Sequence, residues 1–168
     1  MTQSYPKETI ADLIAGRLDW NQTKRIMSAF KDGDRFDKYV SVLQDQVDWD
    51  ETILLPIGEH LAIVQKGADR IVKCDCGHEF GDYRENWKHS ALMLVRDTEE
   101  LLAELYPGPK ACDPRLQELR EFICPGCATL LEVEAVPPGY PVTFDFLPDL
   151  EGFYGEVLGR ELPDLNSA

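Results

Sequence analysis

The sequence predicts an α+β fold: N-terminal helices, an antiparallel β meander with an inserted zinc-ribbon-like four-cysteine site, and an extended C-terminal arm rich in proline and aromatic residues. Three observations support this class. The first third repeats apolar residues at the spacings of amphipathic helices. The middle contains short apolar runs between turn residues, and four of the cysteines form two close pairs.

The N-terminal region contains three predicted helices. Ser4 is a candidate cap for the first, with Pro6 in its first turn, and the second begins near Asp19. The third follows Asp34, and apolar residues three and four positions apart share one of its faces: Phe36, Tyr39, Val40, Leu43 and Val47. We expect this face to pack on the rest of the chain, and a partner subunit is the alternative.

The middle of the chain is predicted to form an antiparallel meander. Its strands are expected at 53–58, 60–65 and 70–73, because these are short apolar runs separated by glycine-containing turns. The third strand runs directly into Cys74.

The pattern after the first cysteine pair is less regular. Residues 80–88 are expected to form a turn with at most one turn of helix, and 91–95 a strand. Helices are predicted at 99–106 and 114–119, and a strand with near alternation at 129–135.

These elements divide the chain into three predicted parts. A helical N-terminal arm covers 1–50, and a β-rich zinc-ribbon-like domain covers 51–135 with a helical insertion at about 81–120. An extended arm covers 136–168. This arm is too apolar for a solvated tail, so we expect it to lie on another surface, its own or a partner's.

Composition excludes several classes of protein. The 168 residues carry a formal net charge of -14, which argues against nucleic-acid binding, since that requires clustered basic residues. No stretch approaches the roughly 20 apolar residues of a membrane helix, and the start lacks the basic and apolar regions of a secretory signal. A disulfide framework is therefore not expected.

The cysteine pattern predicts a metal site. Cys74 and Cys76 form one close pair, Cys124 and Cys127 form another, and each pair follows a predicted strand. Two such turns supply four thiolates, which is the tetrahedral set that structural zinc prefers. The 47 residues between Cys76 and Cys124 are many for a minimal zinc ribbon, so the ribbon carries an insertion.

Alternatives to this site remain open at the level of sequence. Four thiolates also hold a single iron, and the second pair has the CxxC spacing of a redox dithiol. His78 stands beside the first pair and is a candidate replacement for a cysteine, although a position next to the site or on the surface is the plainer interpretation. Cys112 lies in a Pro-rich loop and is interpreted as an ordinary free thiol.

No motif for catalysis is evident. The sequence lacks a phosphate-binding glycine loop, a Gly-x-Ser-x-Gly elbow and an HExxH motif. The acidic residues between Asp34 and Glu51 are interpreted as a solvated helix face and caps, and His60 and His89 have no identifiable partner. The chain is therefore not expected to be a self-sufficient enzyme, and we predict no catalytic residues in it.

Read together, these motifs resemble the small gamma subunit of acetone carboxylases. The similarity spans most of the chain in the same order and rests on VDWD (47–50), ILLPIG (53–58), CDCGHEF (74–80), NWK (86–88), VRDT (95–98), ELYP (104–107), FICPGC (122–127), YPV (140–142) and PDLEGFY (148–154). Gly126 and the loop at 107–114 are less typical of that family.

The resemblance implies a subunit role in the cytoplasm. Acetone carboxylases contain alpha, beta and gamma chains in a dimer of αβγ units, a heterohexamer, and use ATP to join acetone and bicarbonate into acetoacetate. ATP and manganese are expected on the large subunits and zinc in this chain. Related acetophenone carboxylases have similar small subunits, so this chain does not determine the ketone.

Two further hypotheses compete with this one. A freestanding zinc-ribbon module that binds a protein or a small molecule shares the metal site but needs no large partners. An iron-bound electron carrier is the third, and a visible absorption spectrum separates it from the others because zinc is colourless.

Overall fold

Most of the helices and strands follow the predicted order along the chain. The computed structural model describes residues 4–108, 110 and 112–163. Its elements are α1 (Lys7–Ile14), α2 (Trp20–Ser28), α3 (Arg35–Gln44), β1 (Thr52–Pro56), β2 (Leu61–Lys66), β3 (Asp69–Cys74), β4 (Glu79–Asp82), a 3-10 turn (Trp87–Ser90), β5 (Leu92–Arg96), α4 (Glu99–Leu105), β6 (Glu118–Ile123), β7 (Leu130–Val136), α5 (Leu150–Gly152) and a π-helical turn (Phe153–Val157). The predicted α+β class is confirmed. Within the described ranges, no helix is long and apolar enough to cross a membrane.

Helices α2 and α3 begin directly after Asp19 and Asp34, as predicted, but the Asp34 side chain, expected to cap α3, forms no capping hydrogen bond. The Asp19 carboxylate accepts hydrogen bonds from the backbone N–H groups of Asn21 and Gln22, as expected of an N-cap. The prediction that Ser4 caps α1 is wrong. Pro6 is extended (ψ 153°), so the helix begins only at Lys7, and the Ser4 hydroxyl instead donates to the Asp34 carboxylate at 3.2 Å.

The first sheet is antiparallel in the order β1-β2-β3-β4 and is covered on both faces. Leu61 and Ile63 of β2 face the main core, whereas Ala62 and Val64 lie in a second cluster against Val40 and Leu43 of α3. Because successive residues of a strand point to opposite faces, this explains why four consecutive residues of β2 are buried.

Strand β4 was not predicted. The sequence indicated a turn there, because Phe80 is the only apolar residue of the strand. Its pairing comes from β3, with a bulge between Val72 and Lys73. Phe80 is buried in the main core, so tertiary packing supplies the stabilisation that local pattern lacks.

The second sheet is antiparallel in the order β5-β6-β7. The predicted helix at 114–119 is wrong, since 114–116 form a turn and β6 begins at Glu118. Glu118 and Arg120 are both buried and joined by an ion pair at 2.6 Å. Each of these residues thus has a partner of opposite charge within the same strand, which allows both to lie in a buried strand.

One core joins the two sheets. It contains side chains from the first sheet, the 3-10 turn, β6 and α5: Leu54, Leu61, Ile63, Val72, Cys74, Phe80, Trp87, Phe122, Cys124 and Leu150. The Trp87 ring lies edge-on to Phe80 at 5.7 Å and to Phe122 at 6.1 Å between ring centroids. Such edge-to-face pairs add to the burial energy of large rings.

The C-terminal segment packs on its own chain. Residues 137–149 contain no helix or strand, and the chain then forms α5 and the π-helical turn, where the sequence predicted an extended arm throughout. The buried Tyr154 hydroxyl donates to the Leu54 carbonyl at 2.8 Å, and the Phe153 ring meets Phe36 edge-on at 5.1 Å. These contacts attach the segment to β1 and α3.

Candidate metal centre

Each cysteine pair lies in a tight turn at the end of a strand, one from each sheet. In the first turn, the Cys74 N–H donates to the His78 carbonyl and the Gly77 N–H to the Cys74 carbonyl, both at 2.8 Å. Gly77 has φ +94°, which suits a residue without a Cβ. In the second turn, the Cys124 N–H donates to the Thr129 carbonyl and the Ala128 N–H donates to the Cys124 carbonyl, both at 2.9 Å. Backbone hydrogen bonds within each turn therefore fix the positions of the two cysteines that it contains.

The four Sγ atoms meet at the junction of the two sheets. They all lie within 4.8 Å of one another, with 3.9 Å between Cys74 and Cys127 and 3.7 Å between Cys76 and Cys124. A tetrahedron with zinc–sulfur bonds of about 2.3 Å has edges of about 3.8 Å. A disulfide requires about 2.05 Å. The spacing of the thiols therefore fits a tetrahedral thiolate site rather than a disulfide.

Gly126 gives the second turn room to approach the first. Its N–H lies 3.4 Å from Cys124 Sγ and donates to it. A Cβ placed on Gly126 would lie 2.9 Å from His78 Cβ and 3.2 Å from Cys76 Sγ. Glycine is therefore required here by close approach, although Gly126 is one of the residues that are less typical of the family the motifs resemble.

The surroundings of the thiols differ in their effect on protonation. Burial raises the pKa of the Cys74 thiol, and burial likewise raises the pKa of Cys76. Hydrogen bonding with Thr129 lowers the pKa of Cys127 to about 7; its Oγ1 lies 3.2 Å from Cys127 Sγ. A metal would thus displace protons from the Cys74 and Cys76 thiols, so its affinity should rise with pH.

The other residues considered in the sequence lie outside this cluster of sulfur atoms. The His78 ring packs edge-on against Phe80 at 4.9 Å. Cys112 Sγ lies 3.8 Å from the Gln117 carbonyl and is not in the four-cysteine cluster. His60, for which the sequence indicated no partner, has its Nδ1 2.6 Å from the Asp75 carboxylate. The pairing of β2 with β3 brings His60 next to Asp75. The positions of these two residues in the sequence do not indicate this contact.

A second group of potential metal ligands contains Glu132, Glu134 and Asp145. Its centre holds Lys88, whose ammonium lies 2.8 Å from Glu132, 2.5 Å from Glu134 and in contact with Asp145. Burial of Lys88 acts to lower its pKa, but the three carboxylates outweigh burial and raise it. The cation of this cluster is therefore the lysine, and the cluster attaches the C-terminal segment at Asp145 to β7.

A known family matches most of the chain, from just after α3 to just after the π-helical turn. Residues 47–158, which contain all four clustered cysteines, match the family model described as acetone carboxylase gamma subunit. The chain belongs to the acetone carboxylase gamma subunit family.

Similarity to curated proteins extends beyond the matched region. The chain is 45% identical over 163 residues to the acetone carboxylase gamma subunit of Xanthobacter autotrophicus, which covers 96% of this chain and 97% of that protein. It is 34% identical over 79 residues to the acetophenone carboxylase beta subunit of Aromatoleum aromaticum, covering 46% of this chain and 61% of that protein. The resemblance inferred from the motifs is thereby confirmed.

Proposed function

We propose that this chain is the accessory, zinc-binding subunit of an acetone carboxylase, the ATP-dependent enzyme that carboxylates acetone with bicarbonate to acetoacetate. The observation that carries the proposal is the four-thiol cluster at the junction of the two sheets, in a chain of the gamma subunit family. The reaction itself is assigned to large alpha and beta subunits, where ATP and manganese would bind. The assembly proposed is a cytoplasmic dimer of αβγ units.

The zinc of this proposal is structural. A metal held by Cys74, Cys76, Cys124 and Cys127 has four thiolate ligands and no position left for water or substrate. It would cross-link a turn of the first sheet to a turn of the second. Because structural zinc contributes directly to folding, its role would be to hold the two sheets together beside their shared core.

Exposed apolar residues at both ends support an accessory role. Trp20, Met27 and Phe30 are exposed in and after α2, and Phe146 and Leu147 are exposed before α5. Surfaces of this kind are typical of protein–protein contacts. We therefore propose that the arms at 1–50 and 136–168 contact the large subunits, flanking the β-rich zinc-ribbon-like domain at 51–135.

Co-purification tests the proposal. The tagged chain is expressed together with the alpha and beta carboxylase subunits of its source organism, and the eluate is analysed by native mass spectrometry and metal determination. The expected result is a complex with one zinc per small subunit and ATP-dependent carboxylation of acetone. Isolation of the chain as a stable zinc-loaded monomer without large subunits would instead support a freestanding zinc-ribbon module.

The similarity to an acetophenone carboxylase subunit supports a second candidate substrate class, aromatic ketones. The purified complex is therefore assayed with acetone and with acetophenone. The match to the acetone carboxylase relative is longer and stronger, so we expect acetone to be preferred. A complex that carboxylates only acetophenone would overturn this assignment while leaving the subunit role in place.

A further inference from the structure

The β5 edge of the second sheet exposes three consecutive apolar side chains. Leu92, Met93 and Leu94 are 57%, 48% and 39% exposed. Among the described residues β5 pairs only with β6, so alternate residues direct their N–H and C=O groups away from the sheet. Among the described residues, none of these groups on 92–95 is hydrogen-bonded to another element.

An apolar face continues from this edge across the sheet. In the antiparallel register, Leu92 is opposite Ile123 and Leu94 opposite Glu121, and these two are opposite Leu130 and Val133 of β7. Residues opposite one another share a face. Leu130 and Val133 are about half exposed, whereas Glu121 between Leu94 and Val133 is buried and ion-paired with Arg96, so the uncovered part of this face is apolar. The other face carries Phe122, which is buried in the main core.

The edge strand of the first sheet, β1, differs from β5 because side chains bind its free backbone groups. The Gln44 side chain accepts from the Ile53 N–H at 3.0 Å and donates to the Glu51 carbonyl at 3.2 Å. The Tyr154 hydroxyl donates to the Leu54 carbonyl. Side chains thus cover the β1 edge, and β5 has no comparable cover within the described chain. Long apolar edges without charges are normally avoided, because they pair with other strands.

We infer that β5 binds an extended apolar segment of a large carboxylase subunit, which adds to the second sheet as a fourth strand beside β5. Unpaired backbone groups in a row are best satisfied by another strand, and the adjoining apolar face accepts its alternate side chains. This inference rests on the proposed subunit role, and it specifies the strand at which the large subunit binds and the extended conformation of the bound segment.

Charge indicates the character of that segment. Asp97, Glu99 and Glu100 are exposed just beyond the C-terminal end of β5, and none forms an ion pair with a described residue. A partner strand with a basic residue next to its apolar stretch would complement them. A second copy of this chain is disfavoured, because each copy carries a net charge of -14.

Substitutions on the exposed edge test the inference without disturbing the core. Leu92→Gln and Leu94→Gln are compared with Leu116→Gln, a matched control at a leucine that is 72% exposed in the turn before β6. Affinity for the purified alpha–beta complex is measured by biolayer interferometry. Each β5 variant is expected to weaken binding at least about tenfold, and the control less than about twofold.

Hydrogen exchange of the wild-type chain supplies a second measurement that needs no variant. Upon assembly, alternate amides in 92–96 should become protected, because a bound strand would accept their hydrogen bonds. Contact with the apolar face alone would leave these amides exchanging as in the free chain.

The outcomes separate this inference from the proposed function. If the wild-type chain assembles but the β5 variants bind normally and 92–96 stay unprotected, the inference is wrong and the subunit role stands. If the wild-type chain does not bind the large subunits, both are wrong. Protection of 92–96 in the free chain, with a dimer in light scattering, would identify a second copy as the occupant and overturn the inference.

Discussion

Replacing Gly126 by alanine is expected to destabilise the four-cysteine site. The added Cβ would lie 2.9 Å from His78 Cβ and 3.2 Å from Cys76 Sγ. Carbon atoms in favourable contact are about 3.5–4.0 Å apart, so the two turns must separate by roughly 0.6 Å or more. Neither neighbour moves freely, because Cys76 Sγ belongs to the cluster and the His78 carbonyl accepts a hydrogen bond from the Cys74 N–H.

The expected cost follows from this overpacking. Extra methyl groups in a well-packed site typically cost about 1–3 kcal/mol. For a chain of this size each kcal/mol lowers the melting temperature by roughly 2–4 °C, so the Gly126→Ala protein should melt about 2–12 °C lower than the wild type. Because the displaced atoms are at the thiol cluster, the zinc proposed to bind there should also be lost to a competing chelator more easily.

Gly155→Ala is the matched control. A Cβ at Gly155 meets no heavy atom within 4 Å, and this glycine is not in the left-handed region. Alanine in such a turn should be neutral or slightly stabilising. Both proteins are assayed by differential scanning calorimetry and by zinc competition with a chromophoric chelator. The reasoning is refuted if Gly126→Ala retains the melting temperature and zinc affinity of Gly155→Ala.

Three further predictions concern the metal and the buried charges. If the proposed structural zinc contributes folding energy, Cys124→Ser should yield insoluble or degraded protein; recovery of soluble, fully assembled protein with normal metal content would contradict this. Lys88→Met leaves three carboxylates without their cation and should lower the free energy of unfolding in urea by about 3–5 kcal/mol. Lys66→Met, which breaks an exposed and solvent-screened pair, should leave the free energy of unfolding nearly unchanged. Burial acts to raise the pKa of Asp32, but hydrogen bonds from Arg35 and the Tyr5 N–H outweigh it and lower this pKa to about 2. The pKa of Asp32 in the folded state lies below the unfolded value of about 3.9, so ionised Asp32 stabilises the fold fully above about pH 4 and loses this effect toward pH 2. In acid unfolding curves, the free energy of unfolding of Asp32→Asn should therefore fall less between about pH 4 and pH 2 than that of the wild type.

The parts of the fold that were predicted correctly are those with strong local signals. The α2 start at Asp19 has a side-chain cap, and β2 and β3 are apolar runs between glycine turns. The helix at 114–119 was predicted wrongly, and β4 was missed. β6 forms by pairing with β5 and β7, and β4 forms by pairing with β3 and burying Phe80 in the main core; the apolar pattern of either segment reports neither interaction.

The candidate site shows the same division. The two cysteine turns are evident from their spacing, because ligands one or two positions apart can reach one point. The two turns come together only because the first and second sheets pack around Phe122 and Trp87. Both of these residues lie between the two cysteine pairs in the sequence. The His60–Asp75 pair and the Lys88 cluster arise from this packing too, and the sequence contained no signal for either.

The sequence by itself determined the α+β class, the four candidate ligands and the family, since these depend on residue types at short spacing and on motifs in a fixed order. The tertiary structure decided that one turn from each sheet builds the site, that Gly126 is required by close approach, and that the C-terminal segment returns to β1. It also left β5 as an apolar edge while the β1 edge is covered. The physical reason is that burial and backbone pairing depend on distances between segments far apart in the chain, and these distances exist only after the sheets have packed.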